Sequence, residues 1–515
     1  MTNWPTKPFI YQINTWVWLE HLSQRYGYDI TLANLPDDVI NELAQLDVDA
    51  IWLMGVWQRH PDGRKSALNY KHEYEHALPD ITDDDIIGSA YAIGAYEVDE
   101  RLGGREALAN VRWRLRDCGL RLILDYVPNH VATDHAWVTE KPHYMVRGTP
   151  KDLKQAPDLF FKMQNEAGQE LIIAHGRDPY FPGWIDTAQV NAFSAEYRNV
   201  AAQTLIDIAA QCDGIRCDMA MLMTNGVFNT TWGHYLHESA PPVEFWDEII
   251  PKVKEEHPDC WFIAEVYWDM EYIMLQQGFD LTYDKRLYDR IQDGFVHLLR
   301  DHLQAALNYQ QHQVRFIENH DEHRAAGSLG IERSRPAATL ICTLPGAVLL
   351  HDGQFIGRTV KLPVQIKRQP EEIENWALAG FYRKLLRETR DPIYQNGTWR
   401  LFEIEESYEG NYTNQHLLAY GWVHEDEFRI IVVNLTHRWS QGIVRVYGWD
   451  HIRNGRYRLL DVLSGVRTYR DGNRIADEGL YVELEAYQSQ IFRFERLNAD
   501  EDTRVMHWMK QQGLL

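Results

Sequence analysis

The sequence predicts an α/β fold: a (β/α)8 barrel with a subdomain inserted after its third strand and an antiparallel β domain at its C-terminal end. Three observations carry this. Eight short, apolar, β-rich runs recur along the first part of the chain, most of them followed by a helix-like stretch, a pattern that suits a closed parallel barrel better than an open sheet. One connection, Val131 to Val190, is out of proportion to the rest. From about Trp399 the pattern changes to short alternating strands without intervening helices.

The eight runs are, in order, "FIYQINT" from Phe9, "DAIWLMG" from Asp49, "LRLILDYV" from Leu120 and "DGIRCD" from Asp213, then "WFIAEV" from Trp261, "FDLTYD" from Phe279, "QVRFIE" from Gln313 and "GAVLLHD" from Gly346. Each ends in a polar or glycine-containing segment. Between them lie helical periodicities such as "PDDVINELAQL" and "REALANVRWRLRDCG", the second closing on a glycine suited to a helix C-terminus. The long connection is rich in Pro, Gly, His and aromatic residues, as in "AHGRDPYFPGWIDTAQVN", and reads as a subdomain or an active-site wall. After the last barrel helix, "YRKLLRETRDP", the runs "HLLAYGWV", "FRIIVVNLT", "QGIVRVYG", "YRLLDVL" and "QIFRFER" predict a β-sandwich, and the tail predicts a terminal helix. The expected division is therefore a barrel over residues 1–130 and 191–395, an inserted subdomain over 131–190, a β-sandwich over 396–497 and a helix over 498–515.

Composition narrows the function. The chain has 515 residues, 45% of them hydrophobic and 25% charged, which suits a globular protein with a sizeable core. A formal charge of −23 disfavours sustained contact with nucleic acid phosphates or anionic lipid, so a neutral substrate is expected, with no nucleic acid and no membrane among the partners. The first residues lack a basic segment followed by an unbroken apolar run, and the five cysteines are scattered without CxxC spacing. Both features lead to the expectation of a cytoplasmic protein with reduced thiols.

In a barrel of this kind the chemistry sits at the C-terminal ends of the strands. Four strands end in carboxylates: Asp125 in "LILDYVPNH", Asp218 in "DGIRCDMAM", Glu265 in "FIAEVYWD" and Asp321 in "FIENHD". A lone carboxylate there is as readily a helix cap or a rim ion pair; four on one rim, joined by Arg216, His130 and His320, point to a site. Cleavage of a glycosidic bond needs two carboxyl groups in different protonation states, one attacking the anomeric carbon and one protonating the leaving oxygen. Arg216 and Asp218 lie two apart on a strand and so leave it on one face, with Cys217 on the other. The guanidinium is expected to favour the Asp218 anion, and an apolar surrounding is expected to hold a proton on Glu265.

The segments "DYVPNH", "GIRCD", "IAEV" and "FIENHD" resemble, in order and spacing, the four signature segments of the α-amylase superfamily of glycoside hydrolases, family 13, whose fold is a TIM barrel with the same two additions. The resemblance implies Asp218 as nucleophile, Glu265 as acid/base and Asp321 as the carboxylate that grips sugar hydroxyls in the transition state. It further implies that Asp125, His130, Arg216 and His320 belong to the first sugar subsite and that Tyr91 in "SAYAI" stacks on the sugar ring. Arg324 matches a position where many members carry a sugar-site arginine, with rim packing as the alternative. "TAQVN", Thr187 to Asn191, resembles the segment that closes the family's extra subdomain. A metal cage in "FIENHDEHR" is the weaker reading, because adjacent strand residues alternate faces and no second ligand cluster supports it.

Several positions depart from the family pattern. Many starch-cleaving members carry a Lys-His pair three and four positions after the nucleophile, where this chain has Met221 and Leu222; these make the leaving-group side apolar or belong to the core. Many exo-acting α-glucosidases have Asp after the stacking tyrosine, and here it is Ala92. Phe355 replaces a frequent Glu. Asn129 matches a calcium ligand of some amylases, or else hydrogen-bonds within its own loop; no cofactor is expected to be required, and calcium finds no support beyond Asn129. The expectation is a retaining α-glycoside hydrolase acting on short or small α-glucosides by double displacement. The alternatives are an α-glucosyltransferase with the same machinery, a non-catalytic amylase-like binding protein and a metal-dependent hydrolase.

Overall fold

The computed structural model describes residues 4–511 other than 166 and 237. Its eight predicted core strands close into one parallel barrel. They are Phe9–Asn14, Ala50–Met54, Arg121–Tyr126, Gly214–Cys217, Trp261–Ala264, Leu281–Tyr283, Gln313–Arg315 and Ala347–His351. Phe9 pairs with Val348 on one side and Ile10 with Ala50 on the other, which seals the cylinder.

Strand periodicity divides the side chains between two cores. Ile10, Trp52, Ile123, Ile263, Leu281 and Leu349 fill the barrel interior, whereas Ile51, Leu122, Leu124, Ile215, Cys217 and Phe262 pack outward against the helices. Cys217 thus lies on the face opposite Arg216. The predicted helix "REALANVRWRLRD" spans Gly104–Asp117; Gly119 follows it at φ +81°, and the Leu120 amide donates to the Leu115 carbonyl at 2.9 Å. Only glycine enters that left-handed conformation at no steric cost, so the helix stops there.

The inserted segment is tied to the barrel by antiparallel pairing of His130–Ala132 with Thr187–Gln189, and it carries its own hairpin, Phe160–Gln164 with Glu170–Ala174. A second excursion, between the strands Trp57–Arg59 and Ile93–Val98, holds the helices Pro61–Asn69 and Lys71–Tyr74 and was not expected from the sequence.

The C-terminal domain differs from the predicted sandwich in one respect: its eight strands form one continuous hydrogen-bonded antiparallel sheet. Thr398–Glu405 makes the join, pairing through Thr398–Phe402 with Leu417–His424 and through Glu403–Glu405 with Ser440–Arg445. The sheet still encloses one apolar core that includes Phe402, Ile430, Val444, Val482 and Phe494. Three of its strands were not among the predicted runs: Arg467–Asp471 and the outer half of Thr398–Glu405 carry little apolar alternation, whereas Leu480–Leu484 alternates but over only five residues. The terminal helix covers Ala499–Gln511; the last four residues of the expected range lie outside the described residues. No helix among the described residues is long and apolar enough to cross a membrane, and all five cysteines are free.

Candidate active site

The four predicted carboxylates meet at the C-terminal mouth of the barrel because strand register puts them there. Arg216 is level with Asp125 on the third strand and with Ile263 on the fifth, so its inward-pointing side chain rises between Asp125 and Glu265. Its Nη1 donates to Asp218 Oδ1 at 2.8 Å and lies 3.4 Å from Asp125 Oδ1; its Nη2 donates to Glu265 Oε2 at 2.6 Å. The guanidinium is buried among the rings of Trp52, Tyr91 and Tyr283, at 5.2, 5.3 and 5.8 Å from their centroids. A planar fork that holds two carboxylates at once fixes their relative position far better than a lysine would.

Asp125 accepts from Trp52 Nε1 at 3.1 Å and faces Arg216, and burial raises its carboxyl against the pull of Arg216. Burial likewise pushes Asp218 well above the usual carboxylate range; Arg216 opposes this, while Glu265 and Asp321 add to it. Arg216 does favour the Asp218 anion, as expected, but burial outweighs it. One guanidinium is shared by three buried carboxyl groups, and its charge does not cover the desolvation of all of them.

The surroundings of Glu265 also differ from the apolar setting expected. It is buried, yet Oε2 accepts from Arg216 and from the Met219 amide at 2.8 Å, and Oε1 accepts from the Tyr267 hydroxyl at 2.6 Å. Met219 takes a left-handed conformation, φ 42° and ψ 47°, which costs a non-glycine residue about 1–3 kcal/mol and aims its N–H at Glu265. Tyr267 and the Met219 amide are functional groups the sequence reading missed. Tyr267 was visible as one of several aromatics after the fifth strand, but nothing in the sequence singles it out, and a backbone amide leaves no sequence signal.

The seventh strand's end supplies His320 and Asp321. His320 Nδ1 faces Gln12 Nε2 at 2.6 Å, Nε2 lies 2.6 Å from the Tyr91 hydroxyl and 2.9 Å from Asp321 Oδ2, and the ring stacks on Tyr91 with centroids 5.3 Å apart. Asp321 keeps 43% side-chain exposure and opens onto the cleft. Desolvation would raise its carboxyl, but His320, Arg216 and Lys361 together hold it well below the usual range. His130 is buried beside Trp184, ring centroids 5.0 Å apart, and burial lowers it to about 4, so it is neutral near pH 7.

Arg324 is brought near this group but is engaged elsewhere. Its Nη1 donates to Glu318 Oε1 at 2.7 Å and to the Asp352 carbonyl at 2.6 Å and lies 2.9 Å from His351 Nδ1. It is a buried cation held by protein groups, as the packing alternative has it, and it also lines the recess beside His320. Glu318 completes the arrangement by accepting from the Ala325 amide at 2.8 Å. Glu322 pairs with Lys285 at 3.2 Å on the rim, and His323 is exposed. Met221 and Leu222 sit in a short, fully packed 3-10 turn and belong to the core rather than to the leaving-group side. Phe355 is packed between Tyr11 and Tyr382.

A calcium ion does not fit at Asn129. Gln189 Nε2 occupies the convergence point of the local oxygens, donating to Asn129 O at 2.8 Å, Asn129 Oδ1 at 2.9 Å and Val190 O at 3.2 Å. A cation would have to displace that amide and gather six or more oxygens. Among the described residues no group of three or more His, Cys, Asp or Glu side chains could hold a metal.

Comparison with known proteins agrees with this architecture. The α-amylase catalytic domain family matches residues 38–400. α-Amylase 3 of Dictyoglomus thermophilum is 23% identical over 356 residues, 65% of this chain and 61% of that protein. The α-1,4-glucan:maltose-1-phosphate maltosyltransferase of Rhodospirillum rubrum is 23% identical over 433 residues, 80% of this chain and 54% of that protein. The chain thus spans less than two thirds of the length of the curated relatives it matches. A maltogenic α-amylase, AmyB of Thermotoga neapolitana, superposes with a TM-score of 0.66 at 18% identity, covering 96% of this chain and 99% of that one; at that identity the likeness concerns the fold.

Proposed function

Because the chain belongs to the α-amylase family, we propose that it is a retaining α-glycoside hydrolase that cleaves short or small α-glucosides by double displacement. The observation that carries the reading is the grip of one guanidinium on both Asp218 and Glu265. It holds the two carboxyl groups that a double displacement needs on one cation at the barrel mouth. Asp218 attacks the anomeric carbon while Glu265 gives its proton to the leaving oxygen; Glu265 then takes a proton from the water that releases the covalent glycosyl intermediate. Arg216 offsets the cost of charging Asp218 in a buried site. Asp321, held anionic and open to the cleft, receives the sugar hydroxyls, with Tyr91, His130 and His320 around the ring. No metal takes part, and unpaired cysteines favour a cytoplasmic location.

The test is proton NMR of the anomeric signals during action on maltose, maltotriose, isomaltose, sucrose, trehalose, glucosylglycerol and soluble starch. Initial release of the α-anomer from a small member is the expected result, and Asp218→Asn should abolish it. An initial β-anomer, or undiminished turnover by the Asp218→Asn protein, would overturn the assignment.

The match to a maltosyltransferase over most of the chain favours a second reading, transfer to a sugar hydroxyl in place of water. Product analysis with excess acceptor sugar separates the two: transfer products outweighing free sugar would replace hydrolysis by transfer, with the same residues in the same roles.

A further inference from the structure

We propose that the segment Thr359–Gln369, which follows the eighth strand, is a fixed wall across the glycone end of the cleft, so that the enzyme attacks only from non-reducing chain ends. The proposal rests on the α-glycosidase reading above and names its mode of attack. Glu265 and Tyr267 lie beyond the fifth strand and mark the leaving-group side. The wall approaches from the other side. Lys361 Nζ donates to the Asp321 carbonyl, and Val364 packs onto the barrel-interior cluster together with Tyr91.

The wall is anchored at both ends and in its middle. At its start Glu372 Oε2 accepts from the Thr359 amide and hydroxyl, each at 2.6 Å. At its end it joins the excursion that follows the second barrel strand. Ile366 bridges to Ile86, the Ile87 amide donates to the Gln365 carbonyl at 2.8 Å, and the Lys367 amide donates to the Asp85 carbonyl at 2.9 Å. Arg368 grips both oxygens of Asp85, at 2.7 and 2.9 Å, and also reaches Asp80 at 3.0 Å. Ile366 and Leu362 complete a separate small apolar core with Tyr74, Leu78, Ile81 and Ile86. A bidentate ion pair, backbone pairing and a core of its own make this a rigid element rather than a loop free to open.

The recess between the wall and His320 is small. Leu362, Val364 and Gln369 of the wall line a recess with Asn14, His320 and Arg324 whose volume is about 20 Å³. That is space for a water molecule or so and far too little for a pyranose ring, so no sugar unit lodges between the wall and His320.

The experiment compares maltopentaose and isomaltopentaose, each plain and each carrying a 4,6-O-ethylidene cap on its non-reducing terminal unit, with products followed by chromatography. The wild-type protein should shorten at least one plain substrate and lose cleavage of its capped form. Arg368→Ala, which frees the wall from Asp80 and Asp85, should raise the capped-to-plain rate ratio, a readout that a general loss of stability would not move. Equal cleavage of capped and plain substrate by the wild-type protein would overturn the proposal while leaving the hydrolase reading intact. Inertness toward all four would overturn the glycosidase reading, and the proposal with it.

Discussion

Tyr267 donates its hydroxyl to Glu265 Oε1 at 2.6 Å, while the other oxygen of the same carboxylate is held by Arg216 and the Met219 amide. The acid/base candidate is thus oriented at both of its oxygens. Tyr267→Phe keeps the ring and removes only this hydrogen bond. It should lower kcat by about 10-fold with little change in KM, since a mispositioned acid loses part of the roughly 10²–10⁴-fold that general acid catalysis supplies. Steady-state kinetics beside a Glu265→Gln control would check this, the control losing the full factor.

Arg324 and Glu318 form a buried pair 2.7 Å apart, each about as enclosed as the other. Removing the cation leaves Glu318 charged and desolvated, a loss of about 3–5 kcal/mol for pairs of this kind. Arg324→Ala should accordingly lower the melting temperature markedly, more than any residue whose work is sugar contact. Differential scanning calorimetry distinguishes the two roles: an unchanged melting temperature with a raised KM would restore Arg324 to the substrate site.

Gln189 bridges the inserted subdomain to Asn129 through both Asn129 oxygens and also donates to the Val190 carbonyl. Chelation of divalent ions is expected to leave both activity and melting temperature unchanged. Gln189→Leu, by contrast, strips those oxygens of their donor and should cost about 1–3 kcal/mol, an effect that added calcium does not repair. A fall in melting temperature of the wild-type protein on adding EDTA would contradict the assignment.

Glu271 is buried at the start of the helix Glu271–Gln276, and burial pushes its carboxyl up to about 7, with Asp284 and Asp269 adding to the rise. The sign follows from linkage. Below about 4.5 the group is protonated in both the folded and the unfolded chain and costs nothing; as pH climbs to 7 the unfolded chain ionises it freely and the folded one does not, so stability is lost across that window. Glu271→Gln should therefore raise stability at pH 8 by about 1–3 kcal/mol and leave it nearly unchanged at pH 4.5. Urea unfolding at the two pH values measures the difference.

Much of the barrel was legible because its strands are almost entirely buried and so read as short, mostly apolar runs, four of them followed by carboxylates. The inward position of Arg216 and the outward position of Cys217 followed from the two-residue strand period alone. The excursion carrying Pro61–Asn69 and Lys71–Tyr74 escaped notice because its helices are short and weakly amphipathic. The continuous C-terminal sheet was hidden for a different reason: Thr398–Glu405 changes partner halfway along, and pairing is not written in one strand's own pattern.

By itself the sequence determined the barrel, its two additions and the residue types at the strand ends, because burial and periodicity act locally and leave their mark residue by residue. Tertiary structure decided what those residues touch. Whether Met221 faces a sugar or the core, whether Arg324 serves a ligand or Glu318, and whether Asn129 meets an ion or Gln189 all depend on which side chain arrives from tens or hundreds of positions away. The balance that sets the Asp218 carboxyl is of the same kind. A neighbouring arginine argues for the anion, but the sum of burial and of the other carboxylates sharing that arginine exists only once the barrel has closed.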